Sequence, residues 1–282
     1  MFQKALSLPA DGLILDLEDS VTIEKKAEAR MTVTEWLKQL NFGQKERLVR
    51  INPLDSGCGE ADLEATIRGK PDGYVIPKPR RAEDIQAVAA ILDRLEKLHG
   101  FPRESVALLA IATETPEGLL NIAEIAKASP RLAALSWGME DLSAAMGISR
   151  TRTRGGELLD LFRYARMMTL LAAAAAGIDA IDTVFTDIHD LDRLRIESLE
   201  AGQMGFVGKL SIHPNQVDVI NQAFSPSAAE VQEAEALIQA FEASRATGQG
   251  AFSFRGQMVD APHLARAKKL LERARLAAGA PD

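Results

Sequence analysis

The sequence predicts an α/β fold of the (β/α)8 TIM-barrel type, followed by a C-terminal helical extension. Three observations lead to this prediction. Short runs rich in leucine and β-branched residues alternate with longer amphipathic runs, and polar residues repeatedly follow the short runs. The length of 282 residues is also typical of such a barrel, which commonly forms one large domain with additions.

Each short run is a candidate strand. The seven runs are "GLILD" (12–16), "RLVRI" (47–51), "GYVIP" (73–77), "VALLAI" (106–111), "RLAALSW" (131–137), "IDAIDTV" (178–184) and "GKLSI" (208–212). The stretches between them include helical patterns such as "EKKAEARMTVTEWLKQL" and "RAEDIQAVAAILDRLEKL". A closed barrel needs eight strands, and this chain opens with a helical segment, "MFQKALSL". We therefore expect the first strand to be missing: it belongs upstream of Met1, or the barrel is incomplete.

The pattern changes after "GKLSI". Residues 214–223 predict a short helix, "SAAEVQEAEALIQAFEASRATG" predicts a longer one, and "DAPHLARAKKLLERARLAAG" predicts an amphipathic helix. Between the last two, "AFSFRGQMV" predicts a hairpin that turns at Arg255 and Gly256. We therefore divide the chain into a barrel domain, residues 1–223, and an extension, residues 224–282. The apolar face of the extension could pack on its own barrel or on a neighbouring subunit.

The composition excludes several classes of protein. With 46% hydrophobic and 26% charged residues, a net charge of −7 and no long basic run, the chain has no footprint for nucleic acid or anionic lipid. Cys58 is the single cysteine, and the four histidines show none of the short metal-binding spacings. The longest apolar run, "MMTLLAAAAAG", is well short of the roughly 20 residues of a membrane span. We expect a soluble cytoplasmic protein with neither a nucleic-acid nor a membrane partner.

Charged residues stand where the candidate strands end. Glu18 and Asp19 follow the first strand, Arg50 lies in the second, and Glu114 and Asp141 follow two adjacent strands. The carboxyl ends of barrel strands face a common mouth, so Glu114 and Asp141 can share one hard cation through oxygen, which predicts a magnesium-like site. Arg50 can then act as a planar fork for a carboxylate or enolate oxygen. Other polar residues at strand ends are Lys78, Glu140 and Asp187.

Each of these residues also has a simpler structural interpretation. In "GLILDLEDSV" and the residue after it, Asp19, Ser20 or Thr22 could cap the helix that follows. Arg50 could form a salt bridge to Glu18 or Asp19, and a single carboxylate is more often structural than functional. The joint placement of all these charges at strand ends favours a site.

Several longer motifs carry a family resemblance. They are, in order, "ADGLILDLEDSV", "VRINPLDS", "IATETPEGLLNIAEIA", "LAALSWGMEDLSAAMG", "DTVFTDIHDLDRL", "GKLSIHPNQVDVIN" and "GQMVDAP". Together they resemble the citrate lyase β-subunit-like branch of the HpcH/HpaI aldolase superfamily, which includes malyl-CoA and citramalyl-CoA lyases. The resemblance covers nearly the whole chain. Relatives begin with a strand of the form Arg-Ser-x-Leu-Phe-Val-Pro-Gly that is absent here, in agreement with the count of seven strands.

The resemblance implies a (β/α)8 barrel, usually a homotrimer. It implies that Mg²⁺ is held by Glu114 and Asp141 and that Arg50 and Glu114 contact the substrate. It also implies an acid/base carboxylate at Asp260, delivered by the extension into a neighbouring subunit's site. From the residues alone, Asp260 reads as the N-cap of the last helix.

The activity implied is Mg²⁺-dependent carbon–carbon cleavage of a 3-hydroxyacyl thioester such as citramalyl-CoA, malyl-CoA or citryl-CoA, with CoA as part of the substrate. Glu18 and Asp19 would then hold Arg50 or metal-bound waters. Asp19 stands where the pyruvate-aldolase branch carries a histidine base, which favours the thioester-lyase branch. Two alternatives stay open at this point: a class II pyruvate-type aldolase, and a catalytically silent citrate-lyase-like subunit.

Overall fold

A parallel sheet of seven strands forms the centre of the larger part of the chain. The computed structural model describes residues 2–246 and 251–277 of the protein. The strands pair in sequence order, each parallel to the next. Their bounds are β1 (Gly12–Asp16), β2 (Glu46–Arg50), β3 (Gly73–Ile76), β4 (Ala107–Ile111), β5 (Leu132–Ser136), β6 (Asp179–Asp182) and β7 (Gly208–Lys209). All seven predicted strands are confirmed, with shifts of a few residues at their ends.

Helices connect consecutive strands, and one more helix lies at each end of the series. Their bounds are α1 (Phe2–Leu6), α2 (Lys26–Gln39), α3 (Gly59–Thr66), α4 (Ala82–His99), α5 (Pro116–Leu120), α6 (Ile122–Ile125), α7 (Glu140–Ala145), α8 (Asp160–Ala176), α9 (Leu191–Met204) and α10 (Val217–Phe224). Short 3₁₀ turns lie at Ile23–Lys25, Leu54–Ser56, Ile67–Gly69 and Pro214–Gln216. The alternation of strands and helices is what the sequence pattern predicts for a parallel sheet, because parallel neighbours need a long crossover connection.

The central strands are buried on both faces. Successive side chains of a strand point to opposite faces, and one face of the central strands forms an apolar cluster. Its members are Val75, Leu109, Ile111 and Ala134, with Leu48 and Ile181 packed against them. The residues that alternate with them, such as Tyr74 and Leu108, are also buried. Burial on both faces explains why these strands read as continuous hydrophobic runs in the sequence.

The sheet has two edges, β1 and β7. Within residues 2–246, β1 pairs with β2, β7 pairs with β6, and no eighth strand joins the sheet. Ile14, in the middle of β1, is 37% exposed, and among the described residues β1 pairs with β2 alone. The α/β class and the parallel order are therefore confirmed, and the structure describes seven of the eight strands that a closed barrel contains.

The chain divides into two compact units, Met1–Ile220 and Asn221–Asp282. The main elements of the second unit are α11 (Ala228–Ala246), β8 (Phe252–Phe254), β9 (Gln257–Val259) and α12 (Ala261–Ala277). Across the described parts of both units, no helix is long and apolar enough to cross a membrane.

The predicted hairpin in the second unit is confirmed. Strands β8 and β9 pair antiparallel, and the two residues between them, Arg255 and Gly256, have φ values of 49° and 82°. Two consecutive residues with positive φ are the requirement of a type I′ turn, and a glycine meets this requirement without strain. The ring of Phe252 packs edge-on against Phe241 of α11, with the ring centroids 5.9 Å apart.

Candidate active site

The acidic residues after β1 form a tight turn organised by Asp16. Its two carboxylate oxygens accept hydrogen bonds from the backbone N–H groups of Glu18, at 2.9 Å, and Ser20, at 3.2 Å. Thr22, at the start of the following 3₁₀ turn, makes no side-chain capping hydrogen bond, so the capping alternative is wrong for this residue. An aspartate that binds nearby backbone amides stabilises a turn in this way.

Lys26 and Asn52 donate hydrogen bonds to the main-chain carbonyl oxygens of this turn. Lys26 Nζ donates to the carbonyl oxygens of Leu17, at 2.8 Å, and Glu18, at 2.7 Å, and Asn52 Nδ2 donates to Leu17 at 2.9 Å. Asp62 Oδ2 accepts from both the side chain and the backbone N–H of Asn52. Lys26, Asn52 and Asp62 are all buried, so water competes little for these bonds and the turn is held firmly.

Arg50, the last residue of β2, forms a two-pronged ion pair with Asp16. Its Nε and Nη2 each lie 2.7 Å from one carboxylate oxygen, and its Nη1 lies 3.1 Å from Glu18 Oε2. Burial would raise the pKa of Asp16, but the hydrogen bonds and charge of Arg50 outweigh burial and lower this pKa to about 2. Burial would lower the pKa of Arg50, but its carboxylate partners raise it instead. Both groups are therefore held as ions.

Lys78 links the remaining acidic residues. Its ammonium bonds Glu18 and lies 3.2 Å from Asp19 and 3.3 Å from Asp141. Its backbone N–H donates to Glu114 Oε2 at 2.7 Å. Partial burial would lower the pKa of Lys78, but the bond to Glu18 and the surrounding carboxylates raise it, so the ammonium stays charged.

Glu114, which follows β4, is almost completely buried, with 4% exposure. Burial is the main reason why its pKa is raised to about 8, and the carboxylates of Asp141 and Glu18 add to the shift. The hydrogen bond from the Lys78 N–H and the charge of Lys78 act in the opposite direction. The metal-free protein therefore favours the protonated form of Glu114 at neutral pH.

Two glycines allow the backbone to approach closely around Glu114. A Cβ atom at Gly138 would collide with the Glu114 side chain, and one at Gly118 would collide with the carbonyl oxygens of Pro79 and Ala112. Neither position can accept a larger residue without movement of its neighbours.

Asp141 lies in the first turn of α7, with its side chain 37% exposed. Lys78 contacts both carboxylates. Its ammonium lies near Asp141, and its backbone N–H donates a hydrogen bond to Glu114. Within the described residues, no group of three or more His, Cys, Asp or Glu is arranged to hold a metal. Mg²⁺ usually keeps several waters and needs only one or two carboxylates. The pair therefore fits a hard cation that takes its remaining ligands from water or substrate.

The structure brings together five residues that the sequence predicts for a site. They are Glu18, Asp19, Arg50, Glu114 and Asp141. The residue pattern alone did not predict Asp16 as the partner of Arg50 or any role for Lys78. Both stand at strand ends, which is the signal that could have identified them. Two other polar residues at strand ends have different surroundings. Glu140 is exposed at the start of α7, and Asp187 accepts a hydrogen bond from the backbone N–H of His189 at 3.0 Å.

A second charged cluster lies at the end of β6, where sequence analysis predicted none. Asp182 accepts hydrogen bonds from Trp137 Nε1 at 2.7 Å, from Lys209 Nζ at 2.7 Å and from two nitrogens of Arg166. Burial would raise the pKa of Asp182, but the two cations and Trp137 lower it. The cluster ties α8 to the last three strands and supports the loop that carries Gly138, the residue after Trp137.

Asp260 lies in the second unit, directly before α12. Its Oδ1 is 2.6 Å from His263 Nδ1, and its backbone carbonyl accepts from the His263 N–H at 3.1 Å. This is the position of an N-cap, as the residues alone predict. The catalytic role expected of Asp260 stays a prediction.

A parallel α/β sheet with buried and paired carboxylates at its carboxyl edge is typical of an enzyme active site. The chain belongs to the HpcH/HpaI aldolase/citrate lyase family, whose sequence profile matches residues 1–214. The family resemblance drawn from the motifs is therefore confirmed.

Individual relatives are similar over almost the whole chain. Citrate lyase subunit beta of Escherichia coli (strain K12) is 38% identical over 276 residues, covering 98% of this chain and 89% of that protein. The mitochondrial citramalyl-CoA lyase of Mus musculus is 37% identical over 280 residues, covering 95% and 80%. The crystal structure of CitE from Mycobacterium tuberculosis, in complex with magnesium, acetoacetate and coenzyme A, has a TM-score of 0.78 and 36% identity, covering 97% and 92%. These likenesses confirm the prediction of a lyase-family enzyme.

Proposed function

We propose that the protein is a Mg²⁺-dependent carbon–carbon lyase that cleaves a 3-hydroxyacyl thioester of coenzyme A, such as citramalyl-CoA, malyl-CoA or citryl-CoA. One observation carries the proposal: at the carboxyl end of the sheet, Lys78 contacts both Glu114 and Asp141. Glu18 links Lys78 to the guanidinium of Arg50. The names of the two relatives, and the ligands of the CitE complex, support the same chemistry.

Glu114 and Asp141 would hold the cation through their oxygens, with Glu114 also close enough to the reacting centre to touch the substrate. When bound, Mg²⁺ supplies Lewis-acid polarisation of the oxygen that becomes a carbonyl. Glu18 and Asp19 hold Lys78, and Glu18 also contacts Arg50. These two acidic residues therefore act by orienting the cationic side chains around the substrate.

The reaction breaks the bond between the hydroxyl-bearing carbon and the carbon next to the thioester carbonyl. The hydroxyl proton passes to a base, the hydroxyl oxygen becomes a carbonyl, and the electron pair of the broken bond forms the thioester enolate. A proton then adds to the enolate carbon. Arg50 stabilises the negative enolate oxygen. Since Asp16 occupies Nε and Nη2, a substrate oxygen would approach Nη1, which also lies 3.1 Å from Glu18 Oε2.

Asp260 is the residue that we assign to proton transfer, as a positioned base or acid contributing about 10² to 10⁴ in rate. We further propose that the protein is a cytoplasmic homotrimer and that Asp260 acts in a neighbouring subunit's site. The CoA portion of the substrate would lie along the loop after β7. That loop is held by buried Gln216, whose amide accepts from the Ile212 N–H at 3.1 Å and donates to the Phe185 carbonyl at 2.8 Å.

An activity screen tests the reaction. Purified protein with Mg²⁺ is incubated with malyl-CoA, citramalyl-CoA and citryl-CoA, beside oxaloacetate and 4-hydroxy-2-oxo acids, and the products are resolved by mass spectrometry. We expect a carbonyl acid and an acyl-CoA from one of the thioesters. Cleavage of free hydroxy-oxo acids alone would identify a pyruvate-type aldolase, and no turnover of any substrate would identify a silent subunit. Free CoA without carbon–carbon cleavage would identify thioester hydrolysis instead.

Mixing two inactive variants tests the shared site. Asp260→Ala and Arg50→Ala are each expected to be inactive, whereas Asp260→Ala keeps its metal affinity. A mixed oligomer contains some sites with Arg50 from one chain and Asp260 from another, so mixing is expected to restore part of the activity. Native mass spectrometry of differently tagged chains confirms that subunits exchange. If they exchange and no activity returns, Asp260 does not act in a neighbour's site.

A further inference from the structure

Lys78 has an unusual backbone conformation in the middle of the candidate site. Its φ is 52°, in the left-handed region that residues with a side chain rarely adopt. The following residue is Pro79, and a residue before proline is restricted further. Strained backbone of this kind persists where the surrounding contacts hold it, and it is concentrated at functional sites.

This conformation lets the two ends of Lys78 contact both proposed metal ligands. The backbone N–H binds Glu114 Oε2 at 2.7 Å, and the ammonium lies 3.3 Å from Asp141 Oδ1. The N–H orients the Glu114 carboxylate without carrying a net charge. The ammonium, by contrast, places a positive charge on the carboxylate that would bind the cation.

We propose that Lys78 is a positioning residue whose ammonium competes with the divalent cation for the Asp141 carboxylate and so lowers the metal affinity of the site. This inference rests on the proposed function, because it takes Glu114 and Asp141 as the metal ligands. The main chain of Lys78 then assists metal binding, and its side chain opposes it.

The sign of the effect follows from charge and distance. A cation held by Asp141 would share its carboxylate with an ammonium that lies 3.3 Å from Oδ1, and both charges are positive. Glu18 and Asp19 keep the ammonium close, because both bind it as well. Removing the ammonium therefore strengthens metal binding by about tenfold or more, since repulsion between a unit and a double charge at this range is worth at least that factor.

Lys78→Met tests the inference, because it removes the ammonium and keeps both the backbone N–H and an alkyl chain. Titration calorimetry with MgCl₂ alone is expected to give a dissociation constant about tenfold lower than that of the wild type. Lys78→Gln, a second uncharged variant, is expected to change the affinity in the same direction. A residue that only supports the fold would, on removal, weaken metal binding or leave it unchanged.

Thermal unfolding is the second measurement. Without metal, Lys78→Met is expected to unfold at a lower temperature than the wild type, because buried Glu18 loses its ammonium partner. Saturating Mg²⁺ is expected to raise the unfolding temperature of the variant by more than that of the wild type, since tighter binding stabilises the folded state more.

Lys70 provides the matched control. Its φ is 53°, nearly that of Lys78, but its ammonium lies over the ring of Phe101, 5.2 Å from the centroid. Lys70→Met is expected to bind Mg²⁺ like the wild type. Glu114→Gln identifies the site itself. If Glu114→Gln removes Mg²⁺ binding but both Lys78 variants bind within about twofold of the wild type or more weakly, the Lys78 inference is overturned and the metal site stands. If Glu114→Gln binds Mg²⁺ normally, the metal site and the inference both fail.

Discussion

Glu114 and Asp182 are two carboxylates at the carboxyl edge of the same sheet, exposed to only 4% and 1%. Burial raises the pKa of Glu114 to about 8, whereas the pKa of Asp182 is lowered. The difference lies in the partners. The hydrogen bond to Glu114 comes from a neutral backbone N–H, but Asp182 is bonded by an ammonium, a guanidinium and an indole N–H.

This difference separates a structural carboxylate from a functional one. The charge of Asp182 is compensated within the protein, by Lys209 and Arg166, and has no need of a ligand. Glu114 is buried beside other carboxylates, so its ionised form gains from an added cation. The Glu114 region is therefore suited to bind a metal ion, and the Asp182 region is suited to hold strands and helices together.

The largest expected effect comes from removing a cation at Asp182. Lys209→Met leaves a buried carboxylate with one cationic partner fewer, and breaking such a pair typically costs about 3–5 kcal/mol of unfolding free energy. Urea unfolding without metal measures this loss. A cost below about 1 kcal/mol would mean that Asp182 is not a structural anchor and would break the comparison.

Glu114→Gln is expected to have opposite effects on function and stability. It should abolish Mg²⁺ binding and turnover, since a metal-binding carboxylate is lost. A raised pKa in the folded state means that the contribution of Glu114 to stability is present below about pH 4.5 and is lost as pH rises through about 8. The metal-free variant should therefore become more stable than the wild type as pH rises from 5 to 9, by an amount on the order of a few kcal/mol.

Urea unfolding of both proteins at several pH values measures this difference. The matched change in the other region, Asp182→Asn, is expected to destabilise the protein at every pH in the same range, because it leaves two buried cations without their carboxylate. If Glu114→Gln also destabilises at pH 8 to 9, burial does not oppose the ionised form of Glu114, and the contrast between the two regions disappears.

Arg50→Lys keeps a positive charge at the mouth but replaces a planar fork with a point charge. Because Arg50 binds Asp16 through two nitrogens and holds the third beside Glu18, we expect kcat/KM to fall at least about tenfold. Steady-state kinetics on the thioester identified by the screen measures the effect. A change within about twofold would show that Arg50 is only a structural partner of Asp16.

Asp19→Asn should have the smallest effect. Its side chain is 58% exposed and lies 3.2 Å from the Lys78 ammonium, so solvent screens the pair strongly. Exposed pairs are worth about 0.2–1 kcal/mol, which corresponds to at most about a fivefold change in Mg²⁺ affinity or kcat/KM. A loss of more than about a hundredfold would instead place Asp19 in direct contact with metal or substrate.

The residue pattern was enough to predict the strand order and the shared position of Glu18, Arg50, Glu114 and Asp141. Parallel strands in sequence order must bring their carboxyl ends to one edge, so residues that follow each strand meet without any knowledge of packing. The hairpin was equally local, because it depends on two neighbouring residues, Arg255 and Gly256.

Which charges pair depends on how the chain packs. Asp16 forms an ion pair with Arg50. The Lys78 ammonium contacts Glu18, Asp19 and Asp141, and its backbone has a left-handed conformation that the residue pattern does not predict. The cluster around Asp182 joins residues that are 16, 27 and 45 positions apart along the chain. Pairing and pKa depend on burial and on distances of a few ångströms. Burial and distance are set when distant segments pack. The residue pattern could therefore place the carboxylates at one edge of the sheet. It could not distinguish Asp182, whose charge is compensated within the protein, from Glu114, whose ionised form gains from a cation.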